Sequence, residues 1–166
     1  DLWGASRHTL LFIKPTTLRV HEFSYVVITR RDQAQQVVHD FVAAYQERLA
    51  AYQADGRFPI NMPMEIRVSG LDHAGDIGLA NAQEVALSAI VPRHDHPDWD
   101  TAVWLALLTL PGTPDMFAFF RDMEAWMLTR YNSQQSCMRP EWSKGWANTE
   151  TAAWADQDIL SHEIPA

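Results

Sequence analysis

Two opposite charges stand two residues apart at Glu65 and Arg67, inside the run Met62-Pro63-Met64-Glu65-Ile66-Arg67-Val68-Ser69-Gly70. The run reads as a strand over 63–69, and side chains alternate across a strand. Glu65 and Arg67 therefore share one face, and Met64, Ile66 and Val68 share the other. The apolar set suits a core. The charged set points at solvent, at another layer or at a ligand. An arginine is permanently charged and holds its donors in a rigid plane. A glutamate beside it can orient that plane or accept a proton. Such a pair can stabilise negative charge that develops on a reacting oxygen; as a plain surface ion pair it is worth about 0–1 kcal/mol. A second grouping, His94-Asp95-His96, invites a metal reading. Metal sites need a third or fourth ligand, and no partner cluster accompanies these histidines. Flanked by Pro92 and Pro97, the segment reads as a polar hairpin loop, and no metal is expected.

The elements that must position the charged pair follow from periodicity. Residues 9–14 are a short apolar run stopped by Pro15. A second strand covers roughly 17–30, where Phe23, Tyr25 and Val27 alternate with Ser24, Val26 and Ile28, so that both faces look partly buried. Asp32, with Gln35 three residues on, makes a capping box. From there Ala34, Val38, Phe41, Tyr45, Leu49 and Tyr52 recur at helical spacing and predict a helix that ends near Asp55-Gly56. A Gly-, Asp- and Asn-rich loop fills 70–82, and strands are expected at 84–91 and 102–110. Thr113 as cap, Pro114 at the first helical position and Asp115 in the first turn open a second helix. Its buried stripe is Met116, Phe120, Met123 and Met127, and it runs to about Tyr131. The order argues an α+β fold: a mostly antiparallel sheet with helices on one face, and Glu65 and Arg67 on the other.

The 166 residues allow one domain with a sizeable core, 47% hydrophobic and 20% charged. A net charge of −8 and the absence of a basic run exclude nucleic acid as an expected partner. No apolar stretch is long enough for a transmembrane segment. The single cysteine, Cys137, excludes an internal disulfide and leaves the redox compartment open. After Asn132 the periodicity fades, yet Trp142, Trp146 and Trp154 follow. Two parts are therefore expected: 1–132 as one α+β layer of the kind that could cap an active site, and 133–166 as an irregular C-terminal segment that either folds back onto that layer or, the reading favoured here, packs on polypeptide outside this chain. Asp1, with no initiator Met or leader pattern before it, reads as an interior position of a longer protein, produced by nicking or by the limits of the fragment.

The C-terminal segment contains Met138-Arg139-Pro140-Glu141-Trp142-Ser143-Lys144-Gly145-Trp146. A Glu-x-Arg strand followed by Arg-Pro-x-Trp-x-Lys resembles the C-terminal part of flavin-linked oxidases of the vanillyl-alcohol-oxidase superfamily. In sugar and aldonolactone oxidases of that group a histidine stands where this chain has Glu141, which counts against that branch. The stretches Asp1-Leu2-Trp3-Gly4, Lys14-Pro15-Thr16-Thr17-Leu18-Arg19 and Phe58-Pro59-Ile60-Asn61 through Gly70-Leu71-Asp72 look like the substrate-binding domain of the bacterial, covalent-flavin type of cholesterol oxidase. The resemblance runs along the whole chain and covers only the C-terminal part of such an enzyme.

It implies an FAD-dependent oxidase that converts a sterol secondary alcohol to a ketone with release of hydrogen peroxide. The cofactor, FAD, would be held mainly by the N-terminal portion of the same protein, including the histidine that carries it. Dioxygen and a hydrophobic small-molecule alcohol are the implied reactants. Glu65 and Arg67 would be catalytic, with Lys144 and Asn61 facing substrate or flavin, and the chain alone would be inactive. A secreted or periplasmic bacterial location is suggested by the same resemblance. Two alternatives stand beside it: a sugar-alcohol or aldonolactone oxidase of the same superfamily, and a non-catalytic α+β binding module with the pair as a surface ion pair.

Overall fold

The computed structural model describes residues 3–5, 16–84, 88–141 and 148–149. Their frame is an antiparallel sheet of β1 (His21–Thr29), β2 (Met64–Gly70), β3 (Thr101–Thr109) and β4 (Ser136–Pro140), in the order β2-β3-β1-β4. Two helices, α1 (Ala34–Ala54) and α2 (Met116–Tyr131), complete it. β1 and β3 pair along their full length, His21 opposite Thr109 and Thr29 opposite Thr101. This register puts Phe23, Tyr25 and Val27 on the same face as Val103, Leu105 and Leu107. That face packs with Phe41 and Tyr52 of α1 and Phe119 and Met123 of α2 in one buried cluster. The expected α+β layer, helices on one face of an antiparallel sheet, is the architecture observed.

The two-residue period explains why β1 and β3 are buried on both faces while β2 is not. Val26, Ile28, Ala102 and Ala106 point away from the helices and are fully buried too. The chain covers part of that second face itself. Arg139, 2% exposed, lies opposite Val26 and donates from Nε to the Ala89 carbonyl at 2.6 Å. The β2 side of that face, with Glu65 and Arg67, is the most exposed, while Trp104 and Cys137 are half-buried.

The helix ends follow local chemistry. At the end of α1, Gly56 takes φ +72°. The Arg57 N–H returns to the Tyr52 carbonyl and the Gly56 N–H to that of Gln53, both at 2.9 Å. This is the left-handed glycine cap that Asp55-Gly56 predicts. The stripe on α1 is rotated slightly from the expected one, with Val37 and Ala44 buried beside Phe41 and Tyr52.

Several expectations need correction. Asp32 does not cap α1: it sits in a 3-10 turn, Arg31–Gln33, and its carboxylate takes the Arg30 guanidinium instead. Thr113 does not cap α2, because its hydroxyl donates to the Leu110 carbonyl at 2.7 Å within the preceding turn. The helix begins at Met116, with Asp115 before it at φ +62°. Val68 is half exposed rather than core, since β2 runs on past the cover of the helices. Of the strand expected at 84–91, Glu84 and 88–91 are not strand. There the Ser88 hydroxyl takes the Ile90 N–H at 3.0 Å, a local side-chain bond that competes with a ladder. The segment from 133, read as irregular, first contributes β4 to the sheet. The strand expected at 9–14, residues 85–87 and the three tail tryptophans lie outside the described residues.

Candidate active site

Opposed residues on neighbouring strands fall into rows across the second face. Glu65 stands opposite Ala106, and Ala106 opposite Ser24. Arg67 stands opposite Trp104, Trp104 opposite Val26, and Val26 opposite Arg139. Glu141, just past β4, extends the first row: its Oε2 accepts from Ser24 Oγ at 2.7 Å. Ala106 and Ser24 are short, so the Glu141 carboxylate can lie across β1 and β3 toward β2.

Arg67 joins the two carboxylates. Its Nε lies 3.0 Å from Glu65 Oε1, and its Nη2 donates to Glu141 Oε1 at 3.3 Å. The Trp104 indole flanks the guanidinium, with its ring centre 5.9 Å from Cζ, within cation–π range. A guanidinium presents donors along more than one edge of a rigid plane, which is what lets one cation serve two carboxylates from different strands.

The two carboxylates differ in environment. The Glu141 side chain is 15% exposed, and both of its oxygens accept hydrogen bonds. The Glu65 side chain is 48% exposed, and its Oε2 accepts from nothing among the described residues. The Arg67 side chain is 50% exposed. So the face offers a fixed cation with half its surface open, beside one carboxylate oxygen still able to accept. Charges this wet contribute little to stability. Withdrawn from water, the same arrangement would act strongly on any charge developing against it.

The alternation in the sequence thus places Glu65 and Arg67 on one face, as read. The third member, Glu141, was not among the candidate residues. The only signal for it was its place in the Arg-Pro-Glu-Trp stretch, because its contact with Arg67 spans 74 residues and needs β4 to lie beside β1. Asn61 is not brought to this cluster. Its Oδ1 accepts from Thr109 Oγ1 at 3.1 Å and from the Leu110 N–H at 3.0 Å, and its Nδ2 donates to Thr113 Oγ1 at 3.0 Å. The amide thereby ties the chain before β2 to the turn before α2. Lys144 lies outside the described residues. His96 lies flat on Trp99, ring centres 3.8 Å apart, and no group of three His, Cys, Asp or Glu side chains among the described residues converges as a metal site.

Comparison with known proteins gives a consistent relationship. The family described as "Cholesterol oxidase, substrate-binding" matches residues 1–166. A solved structure of a solvent-stable cholesterol oxidase is 52% identical, with a TM-score of 0.78 over 92% of this chain. The cholesterol oxidase from B. sterolicum is 46% identical, with a TM-score of 0.78 and the same coverage. A histidine-to-alanine mutant of the Brevibacterium sterolicum enzyme gives 46% and 0.77. Each match spans 28% of the solved chain, so this sequence corresponds to less than a third of those proteins. A comparison with curated protein sequences finds no match. On the full-length family match and the identity to these structures, the chain belongs to the substrate-binding family of cholesterol oxidases.

Proposed function

We propose that this chain is the substrate-binding part of an FAD-dependent oxidase that converts a sterol secondary alcohol to the ketone and releases hydrogen peroxide. The reading draws on the names of the solved relatives. The structural observation that carries it is Arg67, held between Glu65 and Glu141 with half its side chain uncovered on the face away from the helices. An open cation beside an indole fits a flat, electron-accepting ring brought against this face. When bound, FAD supplies the hydride acceptor and passes the two electrons to dioxygen.

The chain's own residues then have separate tasks. Arg67 stabilises negative charge on the substrate oxygen as the C–H bond breaks. Glu65, with Oε2 still open, accepts the hydroxyl proton, so the alcohol loses one hydride and one proton in becoming a ketone. Glu141, with both oxygens engaged, orients Arg67. Lys144, close after Glu141 in sequence, would reach the same pocket. Asn61 frames the neighbouring end of the sheet. The domain that holds the cofactor would cover the uncovered face, exclude water and raise the effect of each charge. Of the 133–166 segment, β4 belongs to this sheet, and the chain beyond it would return to that domain.

The test uses the full-length protein. A visible absorption spectrum should show the flavin bands, and cholesterol should release peroxide. Substituting Arg67 with Ala should lower kcat roughly 10²–10³-fold while leaving the flavin in place. A protein without flavin absorbance, or one in which Arg67→Ala turns over normally, overturns the reading.

A further inference from the structure

Ser24 is the one small polar side chain in the run Phe23–Ile28 of β1, and it is fully buried. A valine would suit the strand better. A hydroxyl withdrawn from water is costly unless a hydrogen bond replaces its hydration. Here one does: Ser24 Oγ donates to Glu141 Oε2 at 2.7 Å.

The place of this hydroxyl in the sheet gives the contact its meaning. β1 lies between β3 and β4, so it is paired on both edges, and Ser24 is a fixed point on the face away from the helices. The charged groups are placed less firmly. Glu65 and Arg67 stand on β2, an edge strand, with their side chains half exposed. Glu141 is the first residue past β4, whose pairing with β1 stops at Pro140 opposite Tyr25. No strand pairing among the described residues therefore fixes Glu141. Its side chain bonds to two partners there: Oε2 takes the Ser24 hydroxyl, and Oε1 takes Arg67 Nη2 at 3.3 Å. The Ser24 contact has ordinary hydrogen-bond length, whereas 3.3 Å is long for a charge-assisted N–H···O bond. The carboxylate is thus placed mainly from the Ser24 side. Because a carboxylate is planar, fixing one oxygen narrows the directions from which the other can meet the guanidinium.

We propose that Ser24 is a positioning residue for the oxidation: its hydroxyl holds the Glu141 carboxylate so that the second oxygen fixes the Arg67 guanidinium beside Glu65. The hydroxyl acts on the reacting groups only through Glu141 and Arg67. Its part in turnover rests on the functional reading above.

The test uses the full-length protein. Ser24→Ala removes the donor and keeps a small side chain at a buried point of the strand. Ser24→Cys, whose thiol is a weak donor, decides the matter if the alanine variant does not fold. A crystal structure of each reads whether Glu141 still meets Arg67, and kinetics give kcat and KM for sterol-dependent peroxide release. In Ser24→Ala the Glu141 carboxylate should move out of hydrogen-bond distance of Arg67. Its kcat should fall by roughly tenfold, the effect of removing one hydrogen bond to a charged group, with KM little changed. Ser24→Cys should show the same change in smaller measure. In an Arg67→Ala background neither substitution should bring a further loss, because the residue through which Ser24 acts is gone.

A Glu141–Arg67 contact that survives loss of the Ser24 donor overturns the proposal. So does a displaced carboxylate with wild-type kcat. A loss that persists at full size in the Arg67→Ala background overturns it too, since it marks damage to the strand rather than to the guanidinium. A wild-type protein that releases no peroxide removes the functional reading, and with it the part of Ser24 in turnover. The crystal structures then still decide separately whether Ser24 holds Glu141 on Arg67.

Discussion

At the scale of the residue, Arg67 is asked to do what a point charge cannot. Its Nε meets Glu65 and its Nη2 meets Glu141, two carboxylates carried by chain segments that β1 and β3 separate. A lysine has one ammonium on a flexible stem and cannot hold both edges in one plane. On the proposed function, Arg67→Lys in the full-length protein should therefore lower kcat/KM by roughly 10²-fold although the charge is kept. Steady-state kinetics on protein with an unchanged far-ultraviolet spectrum checks this; wild-type turnover from the lysine variant would reduce Arg67 to a bare charge. Glu141→Gln should be milder. The amide oxygen can still accept from one of Ser24 and Arg67, while the charge on that side of the guanidinium is lost. A second residue-scale outcome concerns Tyr131, which is 1% exposed and donates to the Val37 carbonyl at 2.8 Å. Burial pushes its phenol well above the ordinary value, so the donor is always present. Tyr131→Phe should cost about 1 kcal/mol in urea unfolding, the usual net worth of one such bond.

At the scale of the element, the two helices are tied to each other at more than one level. Tyr52 of α1 donates to Asp122 of α2 at 2.6 Å. Burial, together with the Asp122 carboxylate, pushes the Tyr52 phenol up to about 12, so this bond is insensitive to ordinary pH. The Asp40–Arg130 tie behaves differently. Burial alone pushes the Asp40 carboxyl up. Hydrogen bonds from Gln36, Arg130 and His39 outweigh it and hold the group below the ordinary 3.8. A carboxyl depressed in the folded state stabilises above its unfolded value, and that contribution is lost as pH falls through the folded value. Wild-type stability should therefore drop more steeply below about pH 4 than that of Asp40→Asn, by up to about 1 kcal/mol. Denaturant titrations at pH 6 and pH 3, as approximate settings, give the comparison; identical slopes would dismiss the tie.

These same elements show what a sequence can disclose. The Met116–Met127 stripe and the alternation of β2 are local patterns, so α2 and the shared face of Glu65 and Arg67 were legible. β4 was not. Ser136–Pro140 carries no alternation strong enough to mark a strand, and it becomes one by pairing with β1. Glu141 was hidden for the same reason. Residues 88–91 show the opposite failure: they were read as strand, but Ser88 closes a local bond and the Ala89 carbonyl goes to Arg139.

At the scale of the whole molecule, the sheet has one face sealed by helices and another only partly covered, in a chain that spans 28% of its solved relatives. If the rest of the full-length protein closes that face, as the proposed function requires, arginine-directed dicarbonyl reagents should find Arg67 protected there. Arg31, whose side chain is 78% exposed, serves as the internal reference. Equal modification of the two, read by peptide mass, would mean the face stays open. The strand order also carries a kinetic consequence. β1 is the first of the described strands yet needs β3 and β4 as neighbours, and Ser24 meets Glu141 across 117 residues. Contacts so distant must close long loops before they stabilise anything, which slows folding. During synthesis β1 emerges with both edges bare and its apolar side chains unburied until β3 and then β4 have left the ribosome. A nascent chain stalled before Ser136 would present an open β1 edge to other chains, a known route to aggregation. Docking of β4 would then be at once the step that closes this sheet and the step that assembles the Glu65–Arg67–Glu141 cluster.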